Sequence, residues 1–237
     1  MKKEVLQFFQ ELFMEKESTG NYSSLPMFFP KLTESEVSSL CASVNELEVK
    51  QSVFSIGGPN GFPAIFFQKF WSICKNDLIT LVSECFGGDW VPSDVNSTLI
   101  SLIQKVPSPN NLTQFRPISL CNTSYKIINK ILVQRLRGFL PDLISPNQVA
   151  FVSGRQIQDN IVMAQEVLHK FKTMRGKRGY IAWKIDLAKA YDKLQWGFMK
   201  RVLEEVGIVV ELNNLFMSCI SNVNYKVIVS GDMTRDF

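Results

Sequence analysis

Histidine is nearly absent from this chain: His169 stands alone among 237 residues. One histidine excludes multi-histidine metal sites, and it excludes Ser-His-Asp and Cys-His triads unless His169 itself serves. The simpler expectation is a residue on a helix surface. Cysteine is sparse as well. Cys41, Cys74, Cys85, Cys121 and Cys219 are odd in number, scattered, and never spaced as Cys-x-x-Cys. That pattern argues against a disulfide framework or a zinc site and predicts reduced, mostly buried thiols. No apolar run approaches the ~20 residues that span a bilayer. The first residues are charged, with Glu4 and Glu11 following, unlike a secretory leader. The chain is therefore expected to be soluble and intracellular, nuclear or cytoplasmic, with no membrane partner; its oligomeric state stays open. Repeats, low-complexity tracts and long runs of one charge are missing too. The net charge of +4 permits a polyanionic partner without demanding one.

What is present is ordinary globular material. With 46% hydrophobic and 20% charged residues, the chain can bury one large core or two modest ones. Residues 4–16 carry Leu6, Phe9, Leu12 and Phe13 on one helical face. Thr33 and Glu36 make a capping box, with Val37, Leu40, Val44 and Leu47 at helical spacing behind it. The Gly57 to Gly61 stretch predicts a tight loop. Phe62 to Trp71 reads as a buried helix with an aromatic core cluster, Phe66, Phe67, Phe70 and Trp71; Asp77 to Phe86 reads as another helix. Leu99 to Ile103 is a short strand running into Lys105. The prolines and asparagines of residues 107–111 require a loop, and Phe115 to Leu120 is the return strand. The hairpin brings Lys105 and Arg116 near each other, at what is expected to be its open end. Tyr125 to Leu140 predicts a helix with Ile127, Ile128, Ile131, Leu132 and Leu136 inward. Lys126, Lys130, Arg135 and Arg137 are expected mainly outward. Ile157 to Lys172 is a further helix. Trp196 to Val206 is another, closed by Gly207, and Tyr225 to Val229 is a last strand.

The most informative stretch is Lys184-Ile185-Asp186-Leu187-Ala188-Lys189-Ala190-Tyr191-Asp192. Alternation in Tyr180 to Asp186 puts Ile181, Trp183 and Ile185 on a core face. Ala182, Lys184 and Asp186 fall on the other, facing a cleft. A carboxylate at a strand end suits a hard cation such as Mg²⁺, which prefers carboxylate, carbonyl and phosphate oxygens. The backbone carbonyl of Leu187 offers a second oxygen. Cations outside the metal shell, Lys105 and Arg116, suit a triphosphate. Taken alone, Asp186 is simply a helix-capping residue at a strand-to-helix turn, and a Tyr at position 191 is simply core.

Further motifs give these residues a context. Gly58-Pro59-Asn60-Gly61-Phe62-Pro63 with Phe67 to Trp71, Phe115-Arg116-Pro117-Ile118-Ser119-Leu120-Cys121-Asn122, Tyr125 to Ile128, and Ser145-Pro146-Asn147-Gln148 with Ala150 to Arg155 precede the Asp186 motif in order. Over roughly residues 35–237 the chain resembles a plant-type non-LTR (LINE-like) retrotransposon reverse transcriptase.

The resemblance implies an α+β fold: right-hand polymerase fingers and an incomplete palm, preceded by a helical N-terminal extension. It divides the chain into an extension over 1–95, fingers over 96–178 and a partial palm over 179–237. It implies RNA-directed DNA polymerase chemistry with Mg²⁺, an RNA template, a DNA primer and dNTPs. Asp186 matches the first metal-binding aspartate, with Leu187 as its carbonyl partner. Tyr191 matches the aromatic gate against a ribose 2′-hydroxyl, and Arg116 and Lys105 match the fingers cations on the incoming triphosphate. Gln148 and Arg155 fall in a segment implied to lie near template or primer. Asn60, Gln104 and Ser153 depart from the family pattern, away from the metal site. The sequence ends about 45 residues after Asp192, before the family's Gly-x-x-Gln-Gly-x-Pro and aromatic-Ala-Asp-Asp segments. These residues alone are therefore expected to be inactive. Two other readings stay open: a relic acting at most as a nucleic-acid-binding fragment, and an RNA-dependent RNA polymerase-like palm, for which the Asp186 and Asp192 spacing speaks.

Overall fold

A computed structural model describes residues 2–13, 29–56, 64–174, 181, 183 and 194–237. The Gly57 to Gly61 loop and the positions Asp186, Leu187, Tyr191 and Asp192 lie outside the described residues. The fold is mixed α and β, with a four-stranded sheet and helices. Helix α1 spans Lys2–Phe13, α2 Glu34–Leu40, α3 Glu46–Ser55, α4 Ala64–Lys69 and α5 Trp71–Gly88. The hairpin follows as β1, Ser97–Gln104, and β2, Phe115–Cys121. Then come α6 (Thr123–Arg137), α7 (Leu140–Leu143), α8 (Ile157–Thr173), α9 (Trp196–Val206), α10 (Val210–Ser221), β3 (Asn224–Val229) and β4 (Asp232–Met233).

The strand order is β2-β1-β3-β4. β1 pairs antiparallel with β2 on one side and parallel with β3 on the other. Hydrogen-bonded along both edges, β1 is the sheet's centre, and its Ile100 is fully buried. Pro117, which lacks an N–H, sits in the outer strand β2, where a missing ladder bond costs least. One face of the sheet is covered by α1. Val5 and Phe9 pack on Ile100, Val227 and Val229, and the Phe13 ring stacks on Tyr225 at 4.9 Å.

A second core gathers the helices. Ile127, Ile128, Ile131 and Leu132 of α6 are buried as their spacing requires, against Val49 and Val53 of α3, Val82 and Cys85 of α5, and Leu212, Leu215 and Cys219 of α10. Asn96 joins the two cores: its amide Nδ2 donates to the carbonyls of Ser218 (3.0 Å) and Asn222 (3.2 Å), tying the start of β1 to the end of α10. The expected boundary at residues 178–179 lies outside the described residues. β3 pairs with β1 across it, and α10 shares a core with α5 and α6.

Several local expectations need correction. The capping box at Thr33 and Glu36 forms, but the helix behind it stops at Leu40. Asn45 caps a new helix through Glu48 N–H (2.9 Å), so Leu47 falls outward and is exposed. The aromatic helix breaks at Phe70, which is exposed, while Phe67 and Trp71 pack on the core. Arg135 turns inward. Only Cys85 and Cys219 of the five thiols are buried, and Cys41 is exposed. α10 buries Leu212, Leu215 and Cys219 at helical spacing. His169 is exposed on α8, as expected. Among the described residues no helix is long and apolar enough to cross a membrane.

Burial pushes the Cys85 thiol up to about 11, with Glu84 adding to the shift, and Cys219 up to about 12, with Cys85 adding. Burial likewise raises the Tyr125 hydroxyl to about 12; that hydroxyl donates to the Cys219 carbonyl at 2.7 Å. The folded chain therefore keeps protons that the unfolded chain releases near 9 and 10. Stability from these groups is complete below about pH 9 and falls as pH rises toward 12. Urea midpoints that decline between pH 9 and 11 are the expected result; a flat profile across that range would contradict it.

Candidate nucleic-acid interface

The β1–β2 hairpin positions two of the expected residues. Ile103 faces Arg116 and Gln104 faces Phe115 across the ladder, and the Lys105 N–H donates to the Gln114 carbonyl at 2.8 Å. Side chains alternate along a strand, so Lys105 shares a face with Ile103 and hence with Arg116. The two cations are diagonal neighbours, about 7–8 Å apart at Cα for such a pair. They sit at the loop end of the hairpin, not at its open end, because the connection runs only from Val106 to Thr113.

That connection is held by its own polar groups. The Gln114 carboxamide oxygen accepts from the N–H groups of Asn110 (2.7 Å) and Asn111 (3.3 Å). The Lys105 ammonium donates to the Thr113 carbonyl at 2.9 Å, which leaves it two further donors. Arg116 is exposed. Both cations lie on the sheet face opposite α1. On that face Ile103 and Ile118 are also exposed.

The second pair lies in the connection between α7 and α8. Arg155 Nη1 donates to the carbonyls of Ser145 (2.6 Å) and Gln148 (2.7 Å), and Nη2 donates to those of Pro141 (2.8 Å) and Ile144 (3.0 Å). Four N–H bonds on two nitrogens use every terminal donor of the guanidinium. Arg155 thus folds the loop around itself, a structural role that the sequence did not indicate. The exposed Gln148 contributes its backbone carbonyl to this clamp. Among the described residues the hairpin pair and the loop pair share no hydrogen bond.

Two successive turns complete the loop. The Val152 N–H reaches the Val149 carbonyl, and the Arg155 N–H reaches the Val152 carbonyl, both at 3.4 Å. In each, only the third residue has positive φ, the signature of a type II turn: Phe151 at +64° and Gly154 at +81°. Glycine suits that position because it has no Cβ. Phenylalanine does not, and holding a bulky side chain there costs on the order of 1–3 kcal/mol. Phe151 is also 85% exposed, while Val152 beside it is buried. Nothing in the sequence marks Phe151, since aromatic residues so rarely adopt this conformation.

Asp186, Leu187 and Tyr191 carry no geometry here. Of the expected strand, Ile181 and Trp183 are described, and they are 79% and 84% exposed and in neither helix nor strand. The expectation that these two side chains are core is therefore wrong. Helix α8 likewise buries no residue, with Ile157, Ile161 and Leu168 exposed. Among the described residues no group of three His, Cys, Asp or Glu is placed to hold a metal ion.

Comparison with known proteins agrees with the motif reading. Residues 103–232, more than half of the chain, match the sequence model of the reverse transcriptase (RNA-dependent DNA polymerase) family. The matched span contains Lys105, Arg116, Gln148, Arg155, Asp186, Leu187 and Tyr191. An alignment over 176 residues, covering 72% of this chain, is 27% identical to the Transposon TX1 uncharacterized 149 kDa protein of Xenopus laevis. The chain covers 13% of that protein's length. The resemblance to a non-LTR retrotransposon reverse transcriptase, read from the ordered motifs, is borne out by these two matches. The chain belongs to the reverse transcriptase family.

Proposed function

We propose that this chain supplies the fingers and the first part of the palm of an RNA-directed DNA polymerase, with residues 1–95 as a helical extension. The observation that carries this reading is the hairpin: two cations on one face at its loop end, inside the span that matches the family. Lys105 and Arg116 grip the triphosphate of an incoming dNTP, while template RNA and DNA primer lie across the same sheet face. Tyr191 excludes the ribose 2′-hydroxyl. Asp186 and the Leu187 carbonyl are hard oxygen donors of the kind Mg²⁺ takes. Bound there, the ion would neutralise charge developing on the triphosphate.

One palm carboxylate does not complete a two-metal site, and the 237 residues contain no Asp-Asp pair. The chain by itself is therefore expected to make no DNA. The test is primer extension on an RNA template. The chain alone is compared with a longer polypeptide that supplies an aromatic-Ala-Asp-Asp segment, with and without Asp186→Ala. Product from the longer polypeptide, lost on that substitution, is expected. Synthesis by residues 1–237 alone, or synthesis that survives Asp186→Ala, would overturn the reading.

Arg116→Ala tests the grip separately. Charge-assisted contacts to the triphosphate hold substrate and transition state alike, so KM for dNTP should rise about 10- to 100-fold, with kcat changed less. Unchanged KM would place Arg116 outside the nucleotide site.

A further inference from the structure

We infer that the cavity between the α2–α3 connection, the end of α5 and the start of α10 binds a small organic cation, a primary ammonium carried on an apolar body. The inference stands apart from the polymerase reading: none of the residues it uses belongs to the hairpin, the Arg155 loop or the Asp186 motif.

The walls supply the apolar half. The cavity holds about 590 Å³, within the range of small-molecule sites. Leu40, Phe86 and Leu212 line it. Leu40 and Leu212 are buried in the helical core, so packing holds those walls in place. Phe86 packs on the same core, with the Arg135 guanidinium 4.9 Å from its ring centre.

The charges supply the other half. Asp89 and Glu211 also line the cavity, and among the described residues its walls contain no Lys, Arg or His. Neither carboxylate makes an ion pair or a side-chain hydrogen bond among the described residues. The Arg135 guanidinium is committed elsewhere, to both carboxylate oxygens of Glu48 and to the Leu40 carbonyl. Asp89 closes the C-terminal end of α5, where the helix dipole is negative and no basic residue stands in the last turn. The N-terminus of α10 brings the opposite sign, about half a charge, which the full charge of Glu211 in its first turn outweighs. That charge is felt at Cys41, another wall residue: partial burial first and Glu211 second hold its thiol above the ordinary range, against the pull of Arg135. A site with apolar walls and a negative balance selects a cation with an apolar body. An anion is repelled, and a neutral ligand forgoes the carboxylates.

The test uses the purified chain, with phenethylamine as the probe and 2-phenylethanol and phenylacetate as its neutral and anionic counterparts. Cys41 is exposed, so the readout is the probe concentration that half-protects it from iodoacetamide, followed by peptide mass spectrometry. That concentration does not depend on the thiol's own reactivity. Phenethylamine should half-protect at a concentration about 5- to 50-fold lower than 2-phenylethanol, and phenylacetate should protect least. Glu211→Gln and Asp89→Asn should each weaken the amine about 3- to 10-fold and the alcohol less than about 2-fold. Both replacements keep the side chain's size, and asparagine tolerates the left-handed backbone at position 89 (φ +59°), so urea midpoints should match the parent's. Equal protection by amine and alcohol would overturn the inference. So would absence of protection of the parent chain by the amine, or undiminished amine binding in the double variant. A capped Phe-Lys-Phe peptide that protects at lower concentration than phenethylamine would also overturn it, making a basic peptide segment the occupant. None of these results bears on the Asp186 and Arg116 experiments, which test the polymerase reading through other residues.

Discussion

Arg135→Ala is expected to destabilise the fold by about 3 kcal/mol, the low end of the range for removing one partner of a buried ion pair. The guanidinium of Arg135 donates from Nε to Glu48 Oε1 at 2.7 Å and from Nη2 to Glu48 Oε2 at 2.9 Å, a two-pronged pair. Its Nη1 donates to the Leu40 carbonyl at 2.8 Å, and the group lies 4.9 Å from the Phe86 ring centre. The two side chains are 9% and 18% exposed, so solvent screening is weak. Alanine leaves a nearly buried carboxylate without its cation and the last carbonyl of α2 without a donor. The low end is appropriate because Glu48 stands in the first turn of α3, where the helix dipole still favours its charge. For a chain of this size the loss corresponds to roughly 6–12 °C in Tm. Arg135→Lys keeps the charge but not the fork or the ring contact, and should fall between. The double variant Arg135→Met, Glu48→Leu should lose less than Arg135→Ala alone, because no charge is left stranded. Urea unfolding of the four proteins decides it. A loss below about 1 kcal/mol in the alanine variant would mean that the pair is effectively solvated.

Arg135 also shows where the sequence could be read and where it was misread. It lies seven residues after Ile128 and four after Ile131, on the same helical face as the core residues. Spacing alone places it inward; its charge suggests otherwise, and the half-buried Glu48 that reconciles the two is far away in sequence. The same limit runs through the fold. Local features were legible because their causes are local: the Thr33 and Glu36 cap, the two strands of the hairpin, the buried stripe of α6 and the Gly207 stop. The sheet order was not. Pairing of β1 with β3 joins Ser97 to Asn224 across most of the chain, and no short pattern encodes it. In the candidate site, Lys105 and Arg116 could be found because a hairpin forces neighbours together. The clamp at Arg155 depends on four backbone carbonyls, groups that every residue has. A sequence cannot single them out.

Asp186→Ala should lower primer extension by the longer polypeptide at least about 1,000-fold. Catalysis of nucleotidyl transfer is mostly positioning and charge stabilisation, and each tenfold in rate is about 1.4 kcal/mol. Removing a charged oxygen donor from a divalent site costs several kcal/mol, which sets that scale. Asp186→Asn keeps an oxygen of similar shape and discards the charge, so it should remain severely impaired. Partial recovery by asparagine would mean that Asp186 works mainly by shape, as a helix cap does. Folding provides the control. The alanine variant is expected to unfold at the parent's urea midpoint. Lost synthesis with folding intact assigns the residue to the chemistry. Synthesis within tenfold of the parent would remove Asp186 from it, and would leave the chain as a nucleic-acid-binding member of a polymerase family.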